Sequence, residues 1–224
     1  ILPFSEAVRR PMAKNTIYLE DCRKTLDRRG LKYDYVWTGI PDYAEIGLKP
    51  LKDDDEYIEF VTSIPSKLKP KNDLITLFGT DRKFGGGIIP RHMMMAKIME
   101  GLGHKMRSHK IWVKTEKIDL FRLTYAHIIT YGSGKMENVK IFKHDVFTDT
   151  PEKDKNAQPS SLIEKCILNH TKPGEVVYDP CIGLGKMAVA ALNTKRSFIG
   201  SEIEAKKHAE CVARLKGLGA KVKT

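Results

Sequence analysis

The sequence lacks the features that mark secreted, membrane-bound or metal-binding proteins. Its four cysteines form no Cys-x-x-Cys pair, which argues against a disulfide scaffold and favours reduced thiols. The seven histidines do not pair at metal-ligand spacing, so no metal site is expected. No apolar run approaches the roughly 20 residues of a membrane span, no signal-peptide pattern is visible, and no internal repeat occurs. We therefore expect an intracellular protein of cytoplasm, nucleoid or nucleus, with no membrane partner.

Positive charge is present in clear excess. The chain has 39 basic and 28 acidic residues, a net charge of +11. Such an excess favours a polyanionic partner, and nucleic acid is the first candidate. A soluble lysine-rich surface is the alternative. With 224 residues and 41% hydrophobic residues, the chain is long enough for one α/β domain with a substantial core.

The stretch from Gly174 to Glu202 has the pattern of a nucleotide-type ligand site. A short apolar strand leads to Asp179, a turn with Gly183 and Gly185 follows, and a helix of small residues leads to a second strand ending on Glu202. Glycines allow a ligand to approach the main chain. An acid at the end of the second strand can accept hydrogen bonds from two ribose hydroxyls. An ordinary βαβ turn with structural glycines is the alternative.

The details of this loop exclude the commonest phosphate-binding patterns. No four residues separate a glycine from a Gly-Lys-Ser/Thr, so the loop is not a P-loop, and it lacks the strict Gly-x-Gly-x-x-Gly pattern. Its first position is acidic, which suits a cationic or zwitterionic ligand better than a pyrophosphate. The loop therefore points to S-adenosylmethionine.

Alternation and breaker residues predict the remaining elements. Two strands, over residues 15–20 and 33–38, end in polar loops, and in a parallel sheet their ends would join those of the two later strands at one crevice. A mobile, basic, glycine-rich loop is predicted at 81–87, and an antiparallel edge pair over 105–114 and 120–131. A capping box of Ser161 and Glu164 predicts the start of a helix. The other predicted helices cover residues 23–29, 57–68 with an end at Pro65, 90–102 and 203–217.

Five motifs stand in a recognisable order. They are Asp21-Cys22, Trp112-Val113-Lys114, Asn156-Ala157-Gln158-Pro159, Asp179-Pro180-Cys181-Ile182-Gly183-Leu184-Gly185 and Phe198-Ile199-Gly200-Ser201-Glu202. In this order the chain resembles the DNA amino-methyltransferases, which methylate adenine N6 or cytosine N4. It is similar to the permuted, beta-class-like group whose catalytic half precedes the cofactor half. Cys181 stands where that family has phenylalanine.

The resemblance implies a fold and a domain organisation. The fold would be α/β and Rossmann-like, that of the S-adenosylmethionine-dependent methyltransferases, with a mostly parallel sheet, an antiparallel edge pair and helices on both faces. One domain would cover residues 1–224, with a catalytic half over 15–135, a linker or short insertion over 136–157 and a cofactor-binding half over 158–217.

The resemblance also implies roles for the motif residues around S-adenosylmethionine. Glu202 would bind the ribose hydroxyls, and Asp21 would accept from the adenine amine with Cys22 beside the ring. The loop that follows the strand would contact the methionine part. The implied cofactor-binding residues of this loop and its neighbour are Asp179, Pro180, Cys181, Gly183 and Gly185, with Asn156, Ala157 and Gln158 closing over the carboxylate end.

The catalytic turn departs from the family pattern, which reads Asp/Asn/Ser-Pro-Pro-Tyr/Phe. Here the turn reads Gly39-Ile40-Pro41-Asp42-Tyr43, and either alignment places Gly39 or Ile40 where the acceptor belongs. The candidate catalytic residues are Ile40, Pro41, Asp42 and Tyr43. In one hypothesis Asp42 supplies the acceptor while Tyr43 or Trp37 stacks on a flipped base. In the other, catalysis is lost and the chain is a silent binding or scaffold subunit.

DNA is the expected substrate, with RNA a weaker candidate. Arg82, Lys83 and Arg91 around the glycine-rich loop, with Lys114 nearby, are the predicted DNA contacts, and solvated surface charge is the alternative. Only residues 136–155 could form a recognition insertion. Target recognition is therefore short, relaxed or supplied by a protein partner, and a homodimer is left open.

Overall fold

The computed structural model describes residues 15–114, 123–134, 144–150 and 158–224, which form a sheet covered by helices. The strands are β1 Asn15–Leu19, β2 Tyr35–Gly39, β3 Ile75–Gly79, β4 Arg82–Phe84, β5 Gly87–Ile89, β6 Lys105–Val113, β7 Tyr125–Gly132, β8 Val146–Phe147, β9 Val176–Asp179, β10 Ser197–Glu202 and β11 Val222–Lys223. The helices are α1 Cys22–Leu26, α2 Asp54–Ser63, α3 Arg91–Gly101, α4 Ser160–His170, α5 Lys186–Asn193 and α6 Ala205–Gly217. Short 3₁₀ helices cover Tyr43–Ile46 and Pro65–Lys67.

The main sheet has nine strands in the order β11-β1-β10-β9-β2-β3-β7-β6-β8. From β11 to β3 all neighbours are parallel, whereas β7 runs antiparallel to both β3 and β6. The mostly parallel sheet with an antiparallel pair towards one edge is confirmed. Because β9 and β10 lie between β1 and β2, the two ends of the chain build one continuous sheet.

Side chains alternate between two hydrophobic clusters, one on each face of the sheet. Tyr35 and Trp37 point into the cluster under α4, α5 and α6, while Val36 between them points into the cluster under α2 and α3. This alternation follows from the two-residue period of a strand. The strands are apolar on both faces because helices cover both, as in other parallel sheets.

Two local predictions were wrong. The residues predicted to form a mobile loop at 81–87 instead form the β4–β5 hairpin, because Gly85 and Gly86 both adopt positive φ, +58° and +79°, as a tight two-residue hairpin turn requires. The capping box is absent because α4 begins at Ser160, so Ser161 lies inside the helix. Ser161 instead donates to Asp149, and Glu164 accepts from Asn193.

Parts of the predicted linker, with Asn156 and Ala157, lie outside the described residues. Within the described ranges, no helix combines the length and apolar character needed to cross a bilayer.

Candidate active site

The carboxyl ends of β1, β10, β9 and β2 lie side by side at one edge of the sheet. Leu19 pairs with Glu202, and the Glu20 amide donates to the Glu202 carbonyl at 3.1 Å. Asp21 and Glu202 therefore follow adjacent strand ends. Gly200 pairs with Asp179 in the next strand, so three acidic residues share one edge of the sheet.

Glu202 is half-buried and held by main-chain donors. Its Oε2 accepts from the Gly183 amide at 3.0 Å, and its Oε1 accepts from the Glu204 amide at 2.9 Å. The Ile182 amide donates to the Ser201 carbonyl, which fastens the loop to β10. Each carboxylate oxygen has further acceptor capacity, so Glu202 can bind the vicinal hydroxyls of a ribose.

Asp179 joins the cofactor loop to the neighbouring strand. Its Oδ1 accepts from the Thr38 hydroxyl at 2.8 Å and from the Cys181 amide at 3.0 Å. Burial raises the pKa of Asp179 to about 7, against the lowering by these two hydrogen bonds and with a further increase from the charge of Glu202. The carboxyl thus changes charge near neutral pH, and a cationic ligand group nearby would favour its ionised form.

Asp21 caps α1, where it accepts from the Arg23 amide at 2.8 Å and pairs with the Arg23 guanidinium. That pairing lowers the pKa of Asp21 despite partial burial. Next to it, the thiols of Cys22 and Cys181 hydrogen-bond each other, which lowers the pKa of Cys22 and raises that of Cys181. Cys22, predicted to lie beside the adenine, therefore contacts Cys181 of the cofactor loop.

The two loop glycines have different surroundings. A methyl group on Gly183 would meet nothing within 4 Å, whereas one on Gly185 would lie 2.5 Å from the Cys211 sulfur of α6. The open space next to Gly183 would allow a ligand to approach the main chain there. Gly185 is buried and lets α5 begin against α6, and its contact with the cofactor stays a prediction.

Gln158 lies over the end of β2. Its side-chain oxygen accepts from the Trp37 indole at 3.2 Å, and its carbonyl accepts from the Lys186 ammonium at 2.8 Å. A methyl group on Gly39 would lie 3.4 Å from the Gln158 side-chain nitrogen. Gln158 thus stands where a longer side chain at position 39 would extend. Trp37 is buried and its indole is engaged, so it offers no free stacking face.

A buried arginine, Arg91, donates hydrogen bonds to the turn after β2. The Arg91 guanidinium donates to the Pro41 carbonyl at 2.7 Å and, at 3.3 Å, to the carbonyls of Ile40 and Thr80. Tyr57 adds a hydroxyl bond to the Pro41 carbonyl at 2.8 Å. Arg91 is 6% exposed, so the prediction that it contacts DNA was wrong. It holds the turn because it donates to two carbonyls there, those of Ile40 and Pro41, and it connects the turn to Thr80 after β3.

The candidate catalytic residues of the turn differ in their exposure. Asp42 is partly exposed, caps the 3₁₀ helix through the Tyr43 amide and pairs with Arg82 at 2.9 Å. Tyr43 is 1% exposed, and its ring stacks on Tyr57 with centroids 3.7 Å apart. Its hydroxyl donates to Asp54 at 2.9 Å. The predicted stacking of Tyr43 on a base is therefore wrong, because the ring belongs to the core.

A mostly apolar pocket lies between this turn and the loop that follows β9. Thr38, Gly39, Ile40 and Pro41 line one side, and Pro180 and Cys181 line the other, with α2 and Met95 closing it. Of the predicted residues, Ile40 and Pro41 of the turn and Pro180 and Cys181 of the cofactor loop thus line one pocket. Of the other predicted DNA contacts, Arg82 and Lys83 lie on β4, and Lys114 follows β6, all partly exposed.

Comparison with known proteins finds relatives among DNA methylases. Residues 132–212 match the DNA methylase family model. The type II methyltransferase M.BglII from Bacillus subtilis is 25% identical over 203 residues, which cover 67% of this chain and 54% of that protein. The second half of the chain thus resembles DNA methylases. The whole chain spans about half the length of this curated relative.

Several solved structures share the fold of this chain. A proposed DNA modification methylase from Thermus thermophilus, in complex with S-adenosyl-L-methionine, matches with a TM-score of 0.75 at 16% identity, covering 93% of this chain and 98% of that chain. The PvuII cytosine-N4-specific DNA methyltransferase matches with a TM-score of 0.76 at 15% identity, covering 91% and 87%. At these identities the likeness establishes the methyltransferase fold.

One cluster of side chains in this structure was not predicted from the sequence. Asp81, His92 and His127 come together beside the β2 turn, although the histidine spacing had predicted no ligand set. The pairing of β3 with β7 sets Gly79 opposite His127 and so brings His127 near Asp81. His92 joins them from the first turn of α3, where its amide donates to Asp81. No local motif signals this arrangement.

Proposed function

We propose that this protein is an S-adenosylmethionine-dependent methyltransferase acting on an exocyclic amine of a DNA base, adenine N6 or cytosine N4. The observation that carries the proposal is the shared edge, where Asp21, Asp179 and Glu202 surround a glycine loop next to the β2 turn. The family match and the net charge of +11 support DNA as the substrate.

The residues present fit the cofactor. Glu202 offers oxygens for hydroxyls, Gly183 opens the main chain to a ligand, and Asp179 offers a carboxylate that a positive charge would stabilise. When bound, S-adenosylmethionine supplies the methyl group. The chain's own residues must orient the target amine and exclude water.

Methyl transfer to an amine requires hydrogen-bond acceptors for that amine in the site. An exocyclic amine is a poor nucleophile because its lone pair is delocalised into the ring, so acceptors that localise it are needed. Neither Gly39 nor Ile40 carries one in its side chain. Asp42 is the nearest acid in the turn, and it pairs with Arg82. We propose that Asp42 serves as acceptor once a DNA phosphate competes for Arg82.

The ion pair between Asp42 and Arg82 also favours a second candidate function. If Asp42 stays paired with Arg82, the protein would bind DNA or cofactor without transferring a methyl group, as a silent subunit of a modification complex. The two candidates make different predictions for Asp42.

Cofactor binding is tested with a matched pair of glutamates. Glu202→Gln keeps the shape but removes the charge that ribose hydroxyls favour, whereas Glu204→Gln changes an exposed residue of the same loop. Calorimetry with S-adenosylmethionine should show binding to the wild type, with affinity reduced at least tenfold, about 1.4 kcal/mol, in Glu202→Gln only. Equal affinities in both variants would contradict the proposed cofactor site.

Methyl transfer is tested with labelled S-adenosylmethionine on mixed-sequence DNA, with RNA as competitor. The enzyme proposal predicts incorporation into DNA that falls roughly a hundredfold or more in Asp42→Asn, because a transition-state acceptor is lost, while cofactor affinity is unchanged. Cofactor binding without incorporation on any DNA would support the silent subunit instead. Incorporation that Asp42→Asn leaves intact would remove Asp42 from the reaction.

A further inference from the structure

Four side chains from four parts of the fold meet beside the turn that follows β2. Asp81 follows β3, His92 lies in the first turn of α3, His109 lies on β6 and His127 on β7. The Asp81 carboxylate lies 2.7 Å from His92 Nδ1 and 3.3 Å from His127 Nε2. The ligand-type atoms of Asp81, His92 and His127 all lie within 4.8 Å of one another.

The two histidines present their nitrogens to the same carboxylate because their rings are stacked. The centroids of His92 and His127 are 4.0 Å apart, with 18° between the planes. The other ring nitrogen of His127, Nδ1, lies 2.8 Å from His109 Nε2. A partner at Nδ1 fixes the orientation of the ring and directs Nε2 towards Asp81, which is how outer-shell groups orient metal ligands.

The cluster is accessible on one side and closed on the other. The Asp81 and His127 side chains are 3% and 7% exposed, whereas His92 is 27% exposed. A pocket next to the cluster is lined by His92, His127, Ile40 and Tyr131. The Tyr131 hydroxyl is buried there with no hydrogen-bond partner in the described part of the chain, so the pocket contains a further polar group that a bound water could satisfy.

We propose that Asp81, His92 and His127 bind a divalent transition-metal ion such as Zn²⁺, with His109 orienting His127. Two imidazole nitrogens and one carboxylate oxygen form a ligand set that suits zinc and its first-row neighbours. Three protein ligands leave the fourth tetrahedral position for water. The inference goes beyond the proposed methyl transfer, whose chemistry needs no metal.

An ion bound by this cluster would also affect the turn after β2, because the cluster lies next to Arg91. Arg91, which donates to the carbonyls of Ile40 and Pro41, is the residue immediately before His92. The His92 amide also donates to Asp81 at 3.0 Å. An ion between Asp81 and His92 would therefore fix the start of α3, and with it the guanidinium that holds the catalytic turn.

The test measures metal binding and does not depend on methyl transfer. The whole chain, freed of metal with a chelator, is titrated with Zn²⁺ by calorimetry and with Co²⁺ by visible absorption, and bound metal is counted by elemental analysis. The wild type should bind one ion per chain, with the absorption of a Co²⁺ ion bound to nitrogen and oxygen. Zn²⁺ should also raise the melting temperature, because an ion that binds the folded state stabilises it.

Variants assign the ligands. His92→Gln and His127→Gln should each weaken Co²⁺ binding by at least about 100-fold, and His109→Gln by about 10- to 100-fold, the range seen for outer-shell partners. His144→Gln, an exposed histidine outside the cluster, should bind as the wild type does. Since His92 is partly exposed, its variant should fold even if an Asp81 variant does not. Absence of stoichiometric binding, or equal binding by all variants, would overturn the proposal.

Discussion

Asp179 is buried at the centre of the candidate site, and its charge depends on what surrounds it. Only the Thr38 hydroxyl and the Cys181 amide stabilise its carboxylate among the described residues, while burial and the nearby Glu202 oppose ionisation. Because its pKa is raised to about 7 in the folded protein, the folded state holds a proton that the unfolded chain releases near pH 4. Asp179 therefore costs stability once the pH exceeds that range.

This linkage predicts a pH-dependent difference between the wild type and Asp179→Asn. At about pH 4 the wild type is largely protonated at this position in the folded state and half protonated in the unfolded chain, so the ionisation penalty is small. As the pH rises to about 8 the wild type should lose roughly 4 kcal/mol of unfolding free energy that the asparagine variant keeps. Urea unfolding of both proteins at several pH values measures this difference. A difference that is constant with pH would refute it.

The positions of the candidate residues were predictable from the sequence where main-chain geometry decides them. Glu202 and Asp21 follow strand ends, so the parallel sheet brings them together whatever their neighbours are. The predictions for Tyr43 and Arg91 were wrong because the orientation of these two side chains depends on packing. Tyr57, which belongs to another element, stacks on Tyr43 and bonds Arg91. A linear pattern contains no information about such a distant partner.

Among the elements, the β4–β5 hairpin is the one that projects next to the catalytic turn. Arg82 on β4 pairs with Asp42 in that turn. The hairpin also carries exposed apolar side chains, Phe84 at 41% and Ile88 at 53%. Since Tyr43 is buried, Phe84 is an aromatic ring near the turn that can stack on a base or fill the gap left by a flipped one.

We expect Phe84→Ala to reduce methyl transfer to duplex DNA roughly tenfold, the loss of one base–aromatic contact. Transfer to single-stranded DNA should fall less, because no base pair must be opened there. Leu168→Ala, another exposed apolar residue, on α4, serves as control. The stability of each variant is checked by thermal melting. Equal losses on both substrates would assign Phe84 to general binding and not to base opening.

The elements with a strong hydrophobic period were predicted from the sequence, and the short ones were not. β7, β9 and β10 have apolar residues that contribute to both hydrophobic clusters. β8 and β11 are two residues long and exist only because β6 and β1 present free edges to them. The hairpin was missed because a run of three glycines suggests mobility, yet positive φ at two of them is what its turn needs.

The two edges of the sheet at the strand ends differ, because the parallel strands all end at the same edge. The ends of β1, β10, β9, β2 and β3 gather the candidate cofactor and catalytic residues there, and the β4–β5 hairpin follows β3 at the same edge. The opposite edge carries loops such as Thr171 to Glu175, which lead into β9. Net charge is a property of the composition, but which lysines meet DNA depends on this polarity of the sheet.

Salt dependence of DNA binding separates the two edges. If the carboxyl edge contacts phosphates, a plot of log affinity against log salt should be steep, and each phosphate contact should contribute a slope of about −0.9. Lys83→Gln on the hairpin should reduce the slope by about 1. Lys172→Gln, exposed at the opposite edge, should leave it unchanged, because counterions are released only where the protein meets phosphate. Fluorescence anisotropy with one labelled duplex at several salt concentrations gives the slopes for the wild type and both variants. An equal reduction in both variants would mean that the charge acts as a diffuse field, with no preferred edge for DNA.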